Sequence, residues 1–251
     1  MKKNQEENLL AIYDLLYRRE KTIIYSVLEH DEILGHLLIY TGLANPIAFV
    51  KSNNQERVTS LLLGLIPRRE IIILSDRTNL KQIEERFNVS RVIEEDLMVY
   101  DPNRKADLYS NLPRRLTRTD APEILRLYSQ GGVRGSETTY EAWIQQHVVY
   151  GIDSEEVNGS LVAVGGTRIQ IKEGWVISDI YTAPEFRNRG FATMITSALI
   201  KDAMRETSVA ILYVVSSNAP AIRAYQKVGF VMAGQMLWID VGTGAKPLGS
   251  E

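Results

Sequence analysis

The six residues Arg187-Asn188-Arg189-Gly190-Phe191-Ala192 carry the clearest chemical signal in the chain. A glycine and an alanine two apart, placed where a helix begins, let the backbone approach a ligand closely. They also leave several N–H groups free to point at an anion. A phosphate or pyrophosphate is the natural occupant of such a turn. On spacing alone the same residues also fit an ordinary strand-to-helix turn whose basic side chains face solvent.

The elements around the turn would hold it in place. Trp175 to Tyr181 is rich in β-branched and aromatic residues and reads as a strand, interrupted by Thr182-Ala183-Pro184. From Ala192 the apolar positions Met194, Ile195, Ala198 and Leu199 recur at helical spacing. Leu161 to Ile171 alternates, and Lys172-Glu173-Gly174 is the hairpin turn that leads into the Trp175 strand. Ala210 to Ser216 is a further strand that runs into Asn218-Ala219-Pro220, where Asn218 suits a helix N-cap.

Two ordered segments resemble the GNAT acetyltransferase superfamily. Arg187, Gly190 and Ala192 match its acetyl-CoA-binding pattern, (Arg/Gln)-x-x-Gly-x-(Gly/Ala), and Asp179 to Arg187 matches the usual lead-in, an apolar strand closing in a Pro-x-x-Arg turn. Asn218 to Phe230 is similar to the second signature, with Asn218, Ala221, Tyr225 and Gly229-Phe230 in place. The resemblance covers about residues 113 to 241 and implies a central mixed β-sheet flanked by helices.

It also implies roles. The backbone of Arg187, Asn188, Arg189, Gly190, Phe191, Ala192 and Thr193 would bind the pyrophosphate. Ile180, Tyr181 and Thr182 would offer main-chain groups to the pantetheine arm, against the strand ending at Ser216, and Asn218 would touch the cofactor. Attack on a thioester needs a neutral amine, a stabilised carbonyl oxygen and a protonated leaving thiolate. Tyr225 sits where many members carry the tyrosine that protonates the thiolate; as a residue it equally fits a packed aromatic beside Ile222 and Val228. Asp179 is the candidate base through a water, and equally a carboxylate on the solvent face of its strand. Some members need no dedicated base, because the amine arrives neutral.

The rest of this half frames the site. Arg114 to Leu116 starts it as a strand, and Thr119 or Asp120 caps a helix with Pro122 in its first turn and Ile124, Leu127 and Tyr128 facing inward. Gln130 to Ser136 holds three glycines and reads as a mobile loop, which in the resembled family borders the acceptor pocket. Arg134 there could pair with an acceptor carboxylate, and Glu137 is a weaker candidate base. A helix is expected over Thr139 to Val149.

The first half opens with a helix over residues 7 to 17, followed by three short strands, Thr22 to Leu28, Ile33 to Tyr40 and Pro46 to Val50, as an antiparallel meander. A helix over Asn53 to Ile66, a strand over Glu70 to Ser75, a helix over Asp76 to Phe87 and a strand over Val92 to Tyr100 complete it. The closing strand, helix and strand of each half run in the same order, a weak internal repeat. Where the second half has its phosphate turn, the first has Ser52-Asn53-Asn54-Gln55-Glu56-Arg57, with no glycine and an acidic residue where an anion would sit. The reading is a degenerate acetyltransferase-like domain or an unrelated α+β domain. The polar stretch Asp101 to Asn111 marks the boundary, giving domains 1–108 and 109–251.

At 251 residues and 45% apolar content, two globular α/β domains fit. With no cysteine, thiolate metal sites and a covalent thiol intermediate are excluded, and His30, His36 and His147 lack ligand spacing, so no metal is expected. A net charge of −2 gives no electrostatic footprint for nucleic acid. No apolar run is long enough for a bilayer and the polar start MKKNQEEN lacks a signal-peptide core, so a cytoplasmic location is expected. The resemblance makes the chain an acyltransferase moving an acetyl group directly from acetyl-CoA to a primary amine of a small molecule or peptide. The variants are a glycine N-acyltransferase type with a longer acyl group or an amino-acid acceptor, and a non-catalytic CoA-binding sensor. Either a monomer or a homodimer is expected.

Overall fold

A computed structural model describes residues 5–53, 55–104 and 112–242. In chain order the elements are α1 (Leu9–Tyr17), β1 (Thr22–Glu29), β2 (Glu32–Tyr40), β3 (Ile47–Ser52), α2 (Glu56–Gly64), β4 (Ile71–Ser75), α3 (Leu80–Arg86) and β5 (Val89–Tyr100). There follow β6 (Arg114–Arg115), α4 (Ala121–Gln130), α5 (Glu137–Gln146), β7 (Val149–Ser154), β8 (Ser160–Ile171), β9 (Gly174–Thr182), α6 (Phe191–Glu206), β10 (Ala210–Val215), α7 (Ala219–Val228) and β11 (Phe230–Val241). The fold is mixed α/β, with sheet strands of both directions flanked by helices.

Two compact units emerge, Glu7–Asp96 with the chain from Gly234, and Leu97–Ala233. The expected boundary at residue 108 lies outside the described residues. The units divide within two long strands, β5 and β11, so each unit takes part of both.

In the first unit β1, β2 and β3 form the antiparallel meander, with β1 at the edge. β4 runs parallel to β3, and β11 pairs antiparallel with β4 from Leu237↔Ser75 to Val241↔Ile71. The apolar stripe of α2, through Val58, Leu62 and Leu63, packs on Leu37, Val50 and Ile73, and Ile83 and Phe87 close the same core. The sequence places β11 wholly with the second half. Its last residues instead belong to the first unit, because Leu237, Ile239 and Val241 are buried in that core.

In the second unit β6, β7, β8 and β9 are antiparallel neighbours, and β10 joins β9 in parallel. The core runs through Ile124 and Leu127 of α4, Ile195, Leu199 and Ile200 of α6, and Val228 and Phe230, against Val162, Val164, Ile177 and Leu212 of the strands. Two expectations change in detail. Helix α5 ends at Gln146 and Val149 opens a strand, because Val149 and Ile152 are buried against β8. The cap before α4 is Thr117, in a reciprocal capping box with Asp120 around a short 3₁₀ turn; neither Thr119 nor Asp120 caps α4 by its side chain.

A groove at the splayed strands

The parallel seam of β9 and β10 is short. It joins Trp175, Val176 and Ile177 to Ala210, Ile211 and Leu212, after which the pairing stops although both strands continue. The cause is a β-bulge in β9. Pairing with β8 jumps from Ser178↔Gly166 to Tyr181↔Val164, and Asp179 takes the left-handed conformation, φ 57°. The residues after the bulge therefore hold to β8 and leave β10. Gly165 of β8 makes this geometry fit, since a Cβ there would lie 2.2 Å from Ile180 Cδ1.

Into the opening points the start of α6. Gly190 is its N-cap at φ 83°, a conformation open to glycine at no cost, and Asn188 is left-handed as well, φ 64°. The first intrahelical bond of α6 is Met194 N–H to the Gly190 carbonyl, so the N–H groups of Phe191, Ala192 and Thr193 are free of helix partners. A groove of about 630 Å³ follows, lined by Ile180 to Thr182 of β9, the 186–192 turn, and Asn218, Arg223, Tyr225 and Lys227 of or beside α7.

Of the residues singled out by sequence, Ile180, Tyr181, Thr182, Arg187, Asn188, Gly190, Phe191, Ala192, Asn218 and Tyr225 meet in this one groove. Arg187 Nε donates to the Thr182 carbonyl at 3.2 Å, which ties the basic turn to the strand end. Asn218 caps α7, its Oδ1 accepting from Ala221 N–H at 3.3 Å. The Arg189 side chain goes elsewhere: it pairs with Glu156 and lies over the Phe186 ring. Thr193 is one position past the lining residues. Arg134 and Glu137 are exposed, the first in the 131–136 loop and the second in the first turn of α5, and neither lines the groove.

Tyr225 is buried, 8% exposed, and its ring meets Phe230 edge-on with centroids 6.3 Å apart. Burial first, and then the Asp179 carboxylate, push its phenol up to about 12. It thus stays protonated throughout the neutral range and can donate. Asp179 has different surroundings from those of a free base. Arg168 Nη2 donates to both its carboxylate oxygens at 3.1 Å, and Ser178 Oγ donates to Oδ2 at 2.6 Å.

Sequence reasoning missed three features. Arg223 and Lys227 add two cations on the α7 wall, one turn apart, and their helical spacing was the available signal. Arg168 is the partner of Asp179. Tyr128 stacks on Tyr140 and packs on Tyr181, with centroids 5.4 and 5.5 Å apart, and donates to the Asp179 backbone carbonyl at 2.7 Å, so these rings brace the bulge.

Residues 120–230 match the model of the acetyltransferase (GNAT) family, and that stretch is a GNAT acetyltransferase domain. No curated protein matches the chain. Solved structures share its fold over almost the whole length. A GNAT-family protein from Novosphingobium aromaticivorans is 22% identical with a TM-score of 0.59, covering 90% of this chain and 93% of that one. A Drosophila protein is 15% identical with a TM-score of 0.67, covering 96% and 88%. A tandem GNAT protein from the clavulanic acid biosynthesis pathway is 12% identical with a TM-score of 0.54, covering 89% and 84%. Among the described residues, no group of His, Asp and Glu side chains is placed to hold a metal ion, and no helix is long and apolar enough to cross a membrane.

Proposed function

We propose that the second unit transfers an acetyl group from acetyl-CoA directly to a primary amine. The observation that carries this reading is the groove itself, which brings free N–H groups, a strand edge that has parted from β10 and Tyr225 together. The pyrophosphate fits the N–H groups at the start of α6, with Arg187, Arg223 and Lys227 as neighbouring cations. The pantetheine arm lies along Ile180 to Thr182, whose edge toward β10 has no ladder partner.

In the transfer, the amine nitrogen bonds to the acyl carbon, the carbon–sulfur bond breaks, and the amine loses the proton that the sulfur gains. Tyr225 donates to the departing sulfur and is reprotonated by the proton the amine releases. With Asp179 held by Arg168 and Ser178, no dedicated base is assigned: the amine arrives neutral, and Asp179 fixes the bulge and the electrostatics around the phenols. The acceptor is a small molecule or a peptide, and its pocket is bordered by the 130–136 loop.

The first unit we read as a degenerate copy of the same plan that binds no cofactor. Calorimetric titration with acetyl-CoA, longer acyl-CoAs and CoA tests both readings through the stoichiometry, expected to be one per chain. Thiol release against a panel of amines then tests turnover. Binding without turnover on any amine would favour a sensing role, and no binding would overturn the proposal.

A further inference from the structure

Among the described residues, strand β1 is an edge strand, paired on one side only, with β2. It lies in the first unit, outside the stretch matched by the acetyltransferase family. Natural edge strands are usually blunted by charge or proline within the strand. Thr22 to Leu28 contains neither, and it exposes apolar side chains on both faces: Ile23 is 46% exposed, Ile24 47%, Tyr25 38% and Leu28 61%.

The charges sit at the two ends with opposite sign. Arg18, Arg19, Glu20 and Lys21 precede the strand with a net positive charge, and Glu29 ends it, with Asp31 and Glu32 just beyond. An antiparallel copy of the same strand therefore sets each basic end beside an acidic one. The backbone fixes the parity. Thr41 N–H donates to the Lys21 carbonyl, so Lys21, Ile23 and Tyr25 face β2 and the N–H and C=O groups of Thr22, Ile24 and Ser26 face outward. The bulge on this hairpin skips Leu34 on β2, between Gly35 and Ile33, and leaves β1 regular.

We infer that two copies of the chain associate through β1, antiparallel about a two-fold axis at Tyr25. In that register Tyr25 meets its own copy, Ile23 lies opposite Val27, Lys21 lies opposite Glu29, and Ile24 and Ser26 exchange main-chain hydrogen bonds. Every contact is made twice, as an isologous interface requires. The register covers the apolar residues, completes the ladder and neutralises both ends.

Sedimentation analysis of the full chain across a micromolar concentration range tests this, with a reversible dimer expected. Ser26→Pro removes only an outward N–H and keeps the ladder to β2; the two symmetry-related bonds lost should weaken the dimer at least about tenfold. Lys21→Glu or Glu29→Lys alone places like charges opposite each other twice and should weaken it about tenfold, while the double exchange restores it. Circular dichroism verifies that each variant is folded. A monomer at every concentration, or a dimer that the charge exchange leaves unmoved, would overturn the inference.

Discussion

The two units run β-strand, helix, parallel β-strand, helix in the same order and differ at the seam. In the second, β9 and β10 share three paired positions and then part at the Asp179 bulge. In the first, β3 and β4 pair from Ile47↔Ile72 through Val50↔Ser75, the last residue of β4, and Ser75 Oγ donates to the Val50 carbonyl at 3.3 Å. The helix that follows β3 has no left-handed glycine at its start, and Glu56 lies in its first turn. The asparagines before α3 and α7 diverge in the same sense. Asn218 lines the groove, whereas Asn79 is 2% exposed and bound to Ser52, Thr59 and Ser75. A cavity of about 220 Å³ stands in the first unit where Glu56 and Glu85 meet Thr59 and Asn79. One bulge and one glycine thus separate an open seam from a closed one, on a shared plan.

The largest expected effect comes from Gly190→Glu. The new side chain would place a carboxylate at the free N–H groups, in a left-handed conformation that costs a non-glycine residue about 1–2 kcal/mol. Losing two or more charge-assisted hydrogen bonds, each about 1.5–3 kcal/mol, lowers acetyl-CoA affinity at least about a hundredfold by calorimetry. If one molecule per chain still bound at full affinity, the comparison would reverse, and the first unit would hold the cofactor.

Tyr225→Phe should leave acetyl-CoA affinity unchanged and lower kcat about a hundredfold. Asp179→Asn, which loosens the Arg168 pair, should lower kcat less than about tenfold if the amine arrives neutral. The sign of the pH dependence follows from the raised phenol. Its folded value of about 12 exceeds the ordinary 10.0, so the fold favours the protonated form; that contribution is complete below pH 10 and is lost between 10 and 12. The kcat profile should show no alkaline decline from this group up to pH 10, and a decline centred near neutrality would remove Tyr225 as the acid.

The paired asparagines separate structure from binding. Asn79→Ala leaves the buried Thr59 and Ser75 and the half-buried Ser52 short of a hydrogen bond and should cost about 2–3 kcal/mol in denaturant unfolding, with acetyl-CoA affinity intact. Asn218→Ala should cost about 1 kcal/mol as a lost cap and weaken acetyl-CoA roughly threefold. Equal effects on binding would show that the two units share the site.

Much of this was legible in the sequence, for local reasons. The turn at Arg187 to Ala192 and the capping Asn218 declare themselves by residue type at helix starts, and the meander of β1 to β3 by period and breaks. What escaped depends on contacts distant along the chain. Arg168 reaches Asp179 because two strands pair in a hairpin and a bulge turns the carboxylate toward it. The loss of β11's last residues to the first unit is decided by the core they fill, which no local pattern encodes. Thr117 caps by way of a 3₁₀ turn that its own residues do not announce.

Modest effects, and the only ones that salt should tune, belong to the α7 wall. Arg223 and Lys227 line the groove without an ion-pair partner among the described residues, and they face a ligand whose charge is carried by phosphates. Exposed cations of this kind act largely through the field, so each substitution to alanine should weaken acetyl-CoA only about two- to fivefold, and the pair about tenfold. The loss should shrink as salt rises, because screening already suppresses the interaction in the parent chain. Lys81, beside Glu85 at the small cavity of the first unit, supplies the matched control: Lys81→Ala should leave acetyl-CoA affinity unchanged at every salt concentration. A salt-dependent loss on that change would place phosphates at the closed seam, and the contrast between the units would fail at its simplest point.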